Sequence, residues 1–165
     1  MRLLDWEPRL ARVIDANRTT PFAWGTHDCA MFVGRCVEAV TGANPAAAFV
    51  ETYSDEEGAE RTLADIGGLA THCSRLFGEP VPVLCARRGD VLYRIDENGA
   101  EMVAVCFGPV GLVPGDAFTL HNAKVERGVD AMGQAYRRVV AGEIGPTPWL
   151  VQFPLKHFQH AYRVD

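Results

Sequence analysis

The sequence has no long apolar run and no concentration of basic charge. No stretch reaches the roughly 18 consecutive apolar residues that indicate a membrane-spanning helix, and no apolar segment of signal-peptide type lies near the first residue. The formal net charge is −5, and lysine and arginine are scattered along the chain. Because non-specific nucleic-acid binding requires a basic face, we expect neither a membrane span nor a nucleic-acid partner.

Cysteine occurs in an odd number and without the close spacing that metal sites use. No two of the five cysteines are separated by only two residues, which argues against a zinc site, an iron–sulfur cluster and a disulfide framework. Reduced thiols in a cytosolic folding compartment fit this pattern better. We therefore expect no metal and no cofactor. The cysteines are Cys29, Cys36, Cys73, Cys85 and Cys106.

Internal repeats, low-complexity segments and linkers are also absent. The 165 residues therefore predict a single domain over residues 1–165. Apolar residues at spacings of three and four predict helices in the first half of the chain, over residues 3–17, from about residue 26 to 41, over 54–66 and around 69–76. Ser54 is the expected N-cap of the third of these helices, with Glu57 completing a capping box.

The second half of the chain has the pattern of short strands. Residues 91–95 and 102–107, on either side of a turn at 96–99, predict a β-hairpin. Further strands are expected at about 111–113, 117–125, 149–153 and 160–164, whereas residues 129–141 fit a helix or a long loop. Helices followed by antiparallel strands predict an α+β fold, with N-terminal helices packed on a C-terminal antiparallel sheet.

Residues 21–33 are the most informative segment, because an aromatic, glycine-containing loop runs there into a helix that carries Cys29 in its first turn. Thr26 is the expected N-cap, followed by Asp28 in the first turn. Unpaired N–H groups at a helix N-terminus favour thiolate over thiol, so Cys29 is a candidate nucleophile. A carboxylate at Asp28 opposes that activation, and the alternative is a buried, inert Cys29.

Four segments resemble, in the same order, the NlpC/P60 group of papain-like cysteine peptidases. They are residues 22–25 (Phe-Ala-Trp-Gly) with Asp28, Cys29 and Phe32; residues 88–92, with a Gly-Asp pair before a strand; residues 102–108, a strand that ends in glycine; and residues 154–155 with 161–164, a closing strand. The chain is more closely similar to a phage- and prophage-associated domain family related to that group. The resemblance implies a papain-like fold over most of the chain.

The resemblance also implies a catalytic site, with one departure from the pattern. Such peptidases use a cysteine thiolate, a histidine base on the following strand and a third polar residue that orients the histidine. Carried over to this chain, the nucleophile is Cys29, the base position falls on Met102 and the third position falls on His121. Methionine cannot accept a proton, and positioned acid–base catalysis contributes roughly 10²- to 10⁴-fold in rate. Only His121 is left to act as the base.

The other histidines are weaker candidates for catalysis or metal binding. On a helix, His27 points about 200° away from Cys29, and His72 is expected to be a surface or capping residue. His157 and His160 have a spacing that is weak support for a metal site.

Trp24 and Asp90 are the candidate binding residues, and each has a structural alternative. Trp24 is either a platform for substrate or part of the packed wall of the loop. Asp90 either contacts a ligand or satisfies the turn before its strand.

Two functions follow from the resemblance. The first is a structural or assembly component of a bacteriophage tail tip or baseplate, made in the bacterial host cytoplasm and carried in the virion, with other tail proteins as partners. The alternative is an active cysteine peptidase or amidase that cleaves peptidoglycan stem peptides, with Cys29 as nucleophile and His121 as base. An acyl-transfer enzyme on the same fold is a more distant third. Met102 at the base position favours the first function, in which Cys29 and His121 are vestigial.

Overall fold

The computed structural model describes residues 1–95, 99–115 and 150–165, together with the backbone of residues 124–129 and 135–140. Within these residues, four α-helices occupy the first half of the chain, namely α1 (Trp6–Asn17), α2 (Cys29–Thr41), α3 (Glu56–Asp65) and α4 (Leu69–Phe77). The strands that follow are β1 (Val81–Pro82), β2 (Val91–Ile95), β3 (Glu101–Phe107), β4 (Val110–Pro114), β5 (Lys124–Val129), β6 (Ala135–Val140), β7 (Leu150–Pro154) and β8 (His160–Tyr162). The predicted α+β class is confirmed. None of the described helices has the length and apolar character required to cross a bilayer.

Two helices begin later than the sequence suggested, because an aspartate is the cap in each case. Helix α2 is capped by Asp28, whose side chain accepts a hydrogen bond from the Met31 N–H at 3.0 Å, so Thr26 is not the N-cap. Helix α3 is capped by Asp55, whose side chain accepts from the Gly58 N–H at 2.7 Å, so Ser54 is not the N-cap. Thr26 lies two residues before Asp28 and Ser54 lies one residue before Asp55, and the aspartate has the extended cap conformation in both places.

Six strands form one antiparallel sheet in the order β1-β8-β2-β3-β4-β7. The predicted hairpin is present as β2 and β3, in which Val91 pairs with Val105. The last strand of the chain, β8, lies between β1 and β2, so the C-terminal residues are built into the sheet next to the start of the hairpin.

The strands β5 and β6 form a separate two-stranded antiparallel sheet. The expectation of a helix or long loop over residues 129–141 is therefore wrong for Ala135–Val140, which is strand β6. Strand β6 is stabilised by pairing with β5, which ends nearby at Val129, and the pattern of residues 135–140 taken by itself does not show that pairing. Of the strand expected over residues 117–125, residues 124 and 125 belong to β5. Residues 117–123 and most of the expected 96–99 turn lie outside the described residues.

The helices cover one face of the six-stranded sheet. Helix α2 packs between α1 and strands β3 and β4. Its buried side chains meet alternate residues of the hairpin, for example Val91, Tyr93 and Val103. The intervening residues, such as Leu92 and Ala104, face a second apolar cluster on the opposite side of the sheet. This period of two fixes the side of the sheet to which each residue of β3 points.

Candidate functional site

Asp28 organises the loop that precedes helix α2. The side chain is only 1% exposed. Besides capping the helix, its carboxylate accepts a hydrogen bond from the Gly25 N–H at 2.8 Å and one from the Tyr53 hydroxyl at 2.7 Å. Charge-assisted bonds of this kind satisfy a buried carboxylate without a cation. Asp28 therefore joins the 22–28 loop, the start of α2 and the segment around Tyr53.

Gly25 is required by the close approach of that segment. Its φ is +70°, and a Cβ at this position would lie 2.0 Å from the Tyr53 carbonyl oxygen. The Gly25 carbonyl also accepts the Glu51 N–H at 2.9 Å. Any side chain at Gly25 would displace the backbone of residues 51–53 as well as adopt a strained φ.

Cys29 is the first residue of α2 and is half-buried. Burial, reinforced by the neighbouring Asp28 carboxylate, raises the pKa of the Cys29 thiol to about 11, although hydrogen bonding with the backbone of Val103 and Ala30 acts in the opposite direction. Burial and a like charge thus outweigh the helix N-terminus. Near neutral pH, Cys29 is a protonated thiol and a weak nucleophile.

A cavity of about 610 Å³ lies beside Cys29, between α2, α3, α4 and the start of β3. Most of its described lining is apolar and includes Trp24, Met31, Phe49, Leu63, Leu69 and Phe77. This volume lies within the range of roughly 300–1,000 Å³ that is typical of small-molecule sites. The candidate nucleophile therefore lines a cavity of ligand size.

Met102 lines this cavity together with Cys29. Cys29 is hydrogen-bonded to the backbone of Val103, the next residue of β3. The thiol therefore contacts β3 at the residue next to the position expected for the base, and that position is a methionine.

The cavity also contains His72, which the sequence interpretation placed on the surface or at a helix cap. The His72 ring packs edge-on against Phe49, with 5.5 Å between the ring centroids. Burial, and to a smaller extent Arg75, lowers the pKa of the imidazole. His72 was identifiable from its spacing, because residues 69, 72, 73 and 76 share one face of a helix and all four line the cavity.

Glu101 connects β3 to the N-terminus of α4 at the edge of the cavity. Its carboxylate accepts the backbone N–H groups of Leu69 at 2.8 Å and Ala70 at 3.3 Å, and the Tyr93 hydroxyl at 2.7 Å. The N-cap residue of α4, Gly68, has no side chain to serve these donors. Glu101 therefore supplies the missing cap from a distant part of the sequence.

The other predicted site residues lie in different surroundings. Trp24 lines the cavity and packs edge-on against Phe22, with 4.9 Å between the ring centroids. Asp90 is fully buried and is not among the residues that line the cavity, so its binding role stays a prediction. His121 lies outside the described residues.

The remaining candidates from the sequence are His27 and the pair His157 and His160. His27 is buried and contacts the Arg35 guanidinium through Nδ1. Across the described residues, no cluster of three or more histidine, cysteine or acidic side chains is arranged to hold a metal ion.

Comparison with protein families matches residues 1–131, which include the 22–28 loop, all four helices and the β2–β3 hairpin, to a domain of unknown function, DUF6950. The chain belongs to the DUF6950 family. No curated protein and no solved structure matches the chain. The DUF6950 match therefore groups this chain with its relatives without supplying an activity.

Proposed function

We propose that this DUF6950 chain is a structural or assembly component of a bacteriophage tail tip or baseplate, built on a degenerate papain-like fold. It would be made in the cytoplasm of the bacterial host and carried in the virion, where it contacts other tail proteins. The support for the fold is the position of Cys29 at the start of a helix that packs on an antiparallel sheet. Cys29 is hydrogen-bonded to the backbone of Val103 in β3, and Met102 lines the same cavity.

The observation that carries the proposal is the chemical environment of Cys29. The pKa of its thiol is raised to about 11 by burial and by Asp28. A thioether, Met102, occupies the strand position expected for a base. Peptide hydrolysis by a cysteine nucleophile needs a thiolate and a group that returns the proton to the leaving amine. A fold that has a protonated thiol and a methionine at the position expected for the base fits a protein that acts through its surfaces.

The test asks whether the chain is part of the virion and whether its role there depends on the Cys29 thiol. Mass spectrometry of particles purified from an induced lysogen that encodes the chain should detect it in tail fractions. Deletion of its gene should yield particles with defective tails, whereas Cys29→Ala should leave the infectious titre unchanged. Absence from purified particles, or a titre lost in Cys29→Ala with normal folding, would overturn the proposal.

A second candidate is the cysteine peptidase or amidase acting on peptidoglycan stem peptides. The observation that favours it is that His72 lines the same cavity as Cys29. An imidazole is therefore present in the cavity although residue 102 is a methionine. His121 remains the base that the family resemblance implies. Release of peptides from purified cell walls, lost in Cys29→Ala and in either His72→Ala or His121→Ala, would support this candidate. No release by the unaltered chain would exclude it.

A further inference from the structure

The charged side chains that line the cavity beside Cys29 are acidic among the described residues. Four carboxylates occur among the described residues that line it, and no lysine or arginine does. Two of the four are already engaged, since Asp28 and Glu101 accept hydrogen bonds from backbone N–H groups and tyrosine hydroxyls. The remaining two, Glu56 and Glu60, determine which charge the cavity attracts.

Glu56 and Glu60 lie one turn apart on α3, and both are exposed at the border of the cavity. Neither has an ion-pair partner among the described residues. Like charges at this spacing repel one another and destabilise a helix slightly. A positively charged group between the two carboxylates would relieve that repulsion.

The apolar interior defines the rest of the ligand. Leu63 lies one turn after Glu60 and lines the same cavity, followed by Leu69 and Phe77 of α4. An aromatic or aliphatic body therefore fits inside, and its charged end is directed to the border. The volume of about 610 Å³ corresponds to a small molecule rather than to a protein surface.

We propose that this cavity is a binding site for a small organic amine, with an apolar body among α2, α3 and α4 and its ammonium group at Glu56 and Glu60. The site is independent of the tail-assembly proposal, because it requires neither a reactive Cys29 nor a virion partner. An unreactive Cys29 and a functioning amine site are compatible with each other.

The experiment compares three probes of the same shape and different charge. Binding of 4-phenylbutylamine, 4-phenylbutanol and 4-phenylbutyrate to the full chain is measured by titration calorimetry at pH 8. We expect affinity in the order amine, alcohol, carboxylate. Only the affinity of the amine should fall when salt is raised from 20 to 300 mM, because exposed charges are screened. Equal affinity for amine and alcohol, or no binding of the amine, would overturn the proposal.

Matched variants test which carboxylates act. Glu56→Gln combined with Glu60→Gln should weaken amine binding about two- to fivefold and leave the alcohol unchanged, a size typical of exposed ion pairs. The control is Glu57→Gln, which removes one of these like charges from the same helix at a residue that pairs with Arg61 instead of lining the cavity. All three positions are exposed, so circular dichroism should show an unchanged fold. An equal loss in the control would mean that the general field of the chain, and not this site, attracts the amine.

Two further measurements locate the ligand. The bound amine should slow iodoacetamide alkylation of Cys29, which lines the cavity, and leave that of the exposed Cys85 unaffected. Unchanged alkylation of Cys29 at saturating amine would place the ligand elsewhere and overturn the proposal. A capped tripeptide containing phenylalanine, leucine and lysine is tested in parallel. Binding of this peptide without binding of the amine would reject the small-molecule assignment.

Discussion

At the scale of single residues, the chemistry of Cys29 is set by its neighbours more than by its helix. Since the pKa of its thiol is raised to about 11, its alkylation rate should increase about tenfold for each pH unit from 7 to 10 without reaching a plateau. Asp28→Asn removes the nearby negative charge and should lower the pKa, so that the variant is alkylated faster at every pH. Mass spectrometry of iodoacetamide-labelled peptides measures both rates.

Cys85 is the internal control for that experiment, because its thiol is exposed. Its alkylation should be faster than that of Cys29 at neutral pH and should not respond to Asp28→Asn. A plateau for Cys29 below pH 8 would instead reveal a nearby cation and favour the peptidase candidate.

His27 provides a second prediction at the same scale. Burial, then the Arg35 guanidinium, lowers the pKa of the His27 imidazole to about 4, although Asp28 acts in the opposite direction. An unfolded histidine with its ordinary pKa of about 6.5 binds a proton first, so stability is lost as pH falls from 6.5 to 4. We expect His27 to contribute about 3 kcal/mol to this loss in the free energy of unfolding.

The control for His27 is His27→Gln, which retains an acceptor for Arg35 but does not titrate. Urea titrations at several pH values should give the variant a shallower decline in stability between pH 6.5 and 4. Parallel curves for the two proteins would show that His27 is protonated equally in the folded and unfolded states.

At the scale of elements, helix α4 depends on a cap from strand β3. Replacing Glu101 by alanine leaves the N–H groups of Leu69 and Ala70 and the Tyr93 hydroxyl without their acceptor. We expect Glu101→Ala to lower the free energy of unfolding by about 1–3 kcal/mol. Amide exchange at the start of α4 should accelerate more than exchange in α1.

Tyr93→Phe is the matched control, since it removes one of the three donors and leaves the helix cap in place. It should be destabilised less than Glu101→Ala, with little change in exchange at α4. If the two variants exchange equally fast at α4, Glu101 is not the cap of this helix.

Some of the helices, strands and caps could be predicted from the sequence alone. The hairpin strands β2 and β3 are apolar runs on either side of a turn, and the C-cap of α2 is a glycine, Gly42, so both were predictable locally. The choice of Asp28 over Thr26 as N-cap depends on Gly25 and Tyr53, which Asp28 contacts only in the folded chain. Strand β6 similarly depends on its partner β5.

The residues that line the cavity could also be predicted from the sequence only in part. Cys29, Trp24 and Met102 could be selected from their motifs, and all three line the cavity. Glu101 belongs to no motif, and the spacing of His72 places it on one helix face without showing what that face meets. They reach the cavity because α4 packs beside β3, a contact between elements that lie about 30 residues apart along the chain.

At the scale of the whole molecule, Asp90 joins the two ends of the chain to the central sheet. Its fully buried carboxylate accepts hydrogen bonds from the Arg2 guanidinium at 2.7 Å, from the Val164 N–H at 3.2 Å and from the Arg87 N–H at 2.8 Å. The Arg163 guanidinium lies 3.3 Å away. The Arg2 side chain also donates to the Val164 carbonyl at 2.7 Å, so the N-terminal and C-terminal segments are held against each other.

Asp90→Ala should therefore destabilise the fold as a whole. Removing one partner of a buried ion pair typically costs about 3–5 kcal/mol, because the remaining charge is left without compensation. Asp165→Ala is the control, since it removes a carboxylate that also lies near Arg2 but is largely exposed, and its expected cost is below about 1 kcal/mol. Urea denaturation, followed by the circular dichroism of the helices, measures both. Equal midpoints for the two variants would mean that the junction of the chain ends is not held by Asp90.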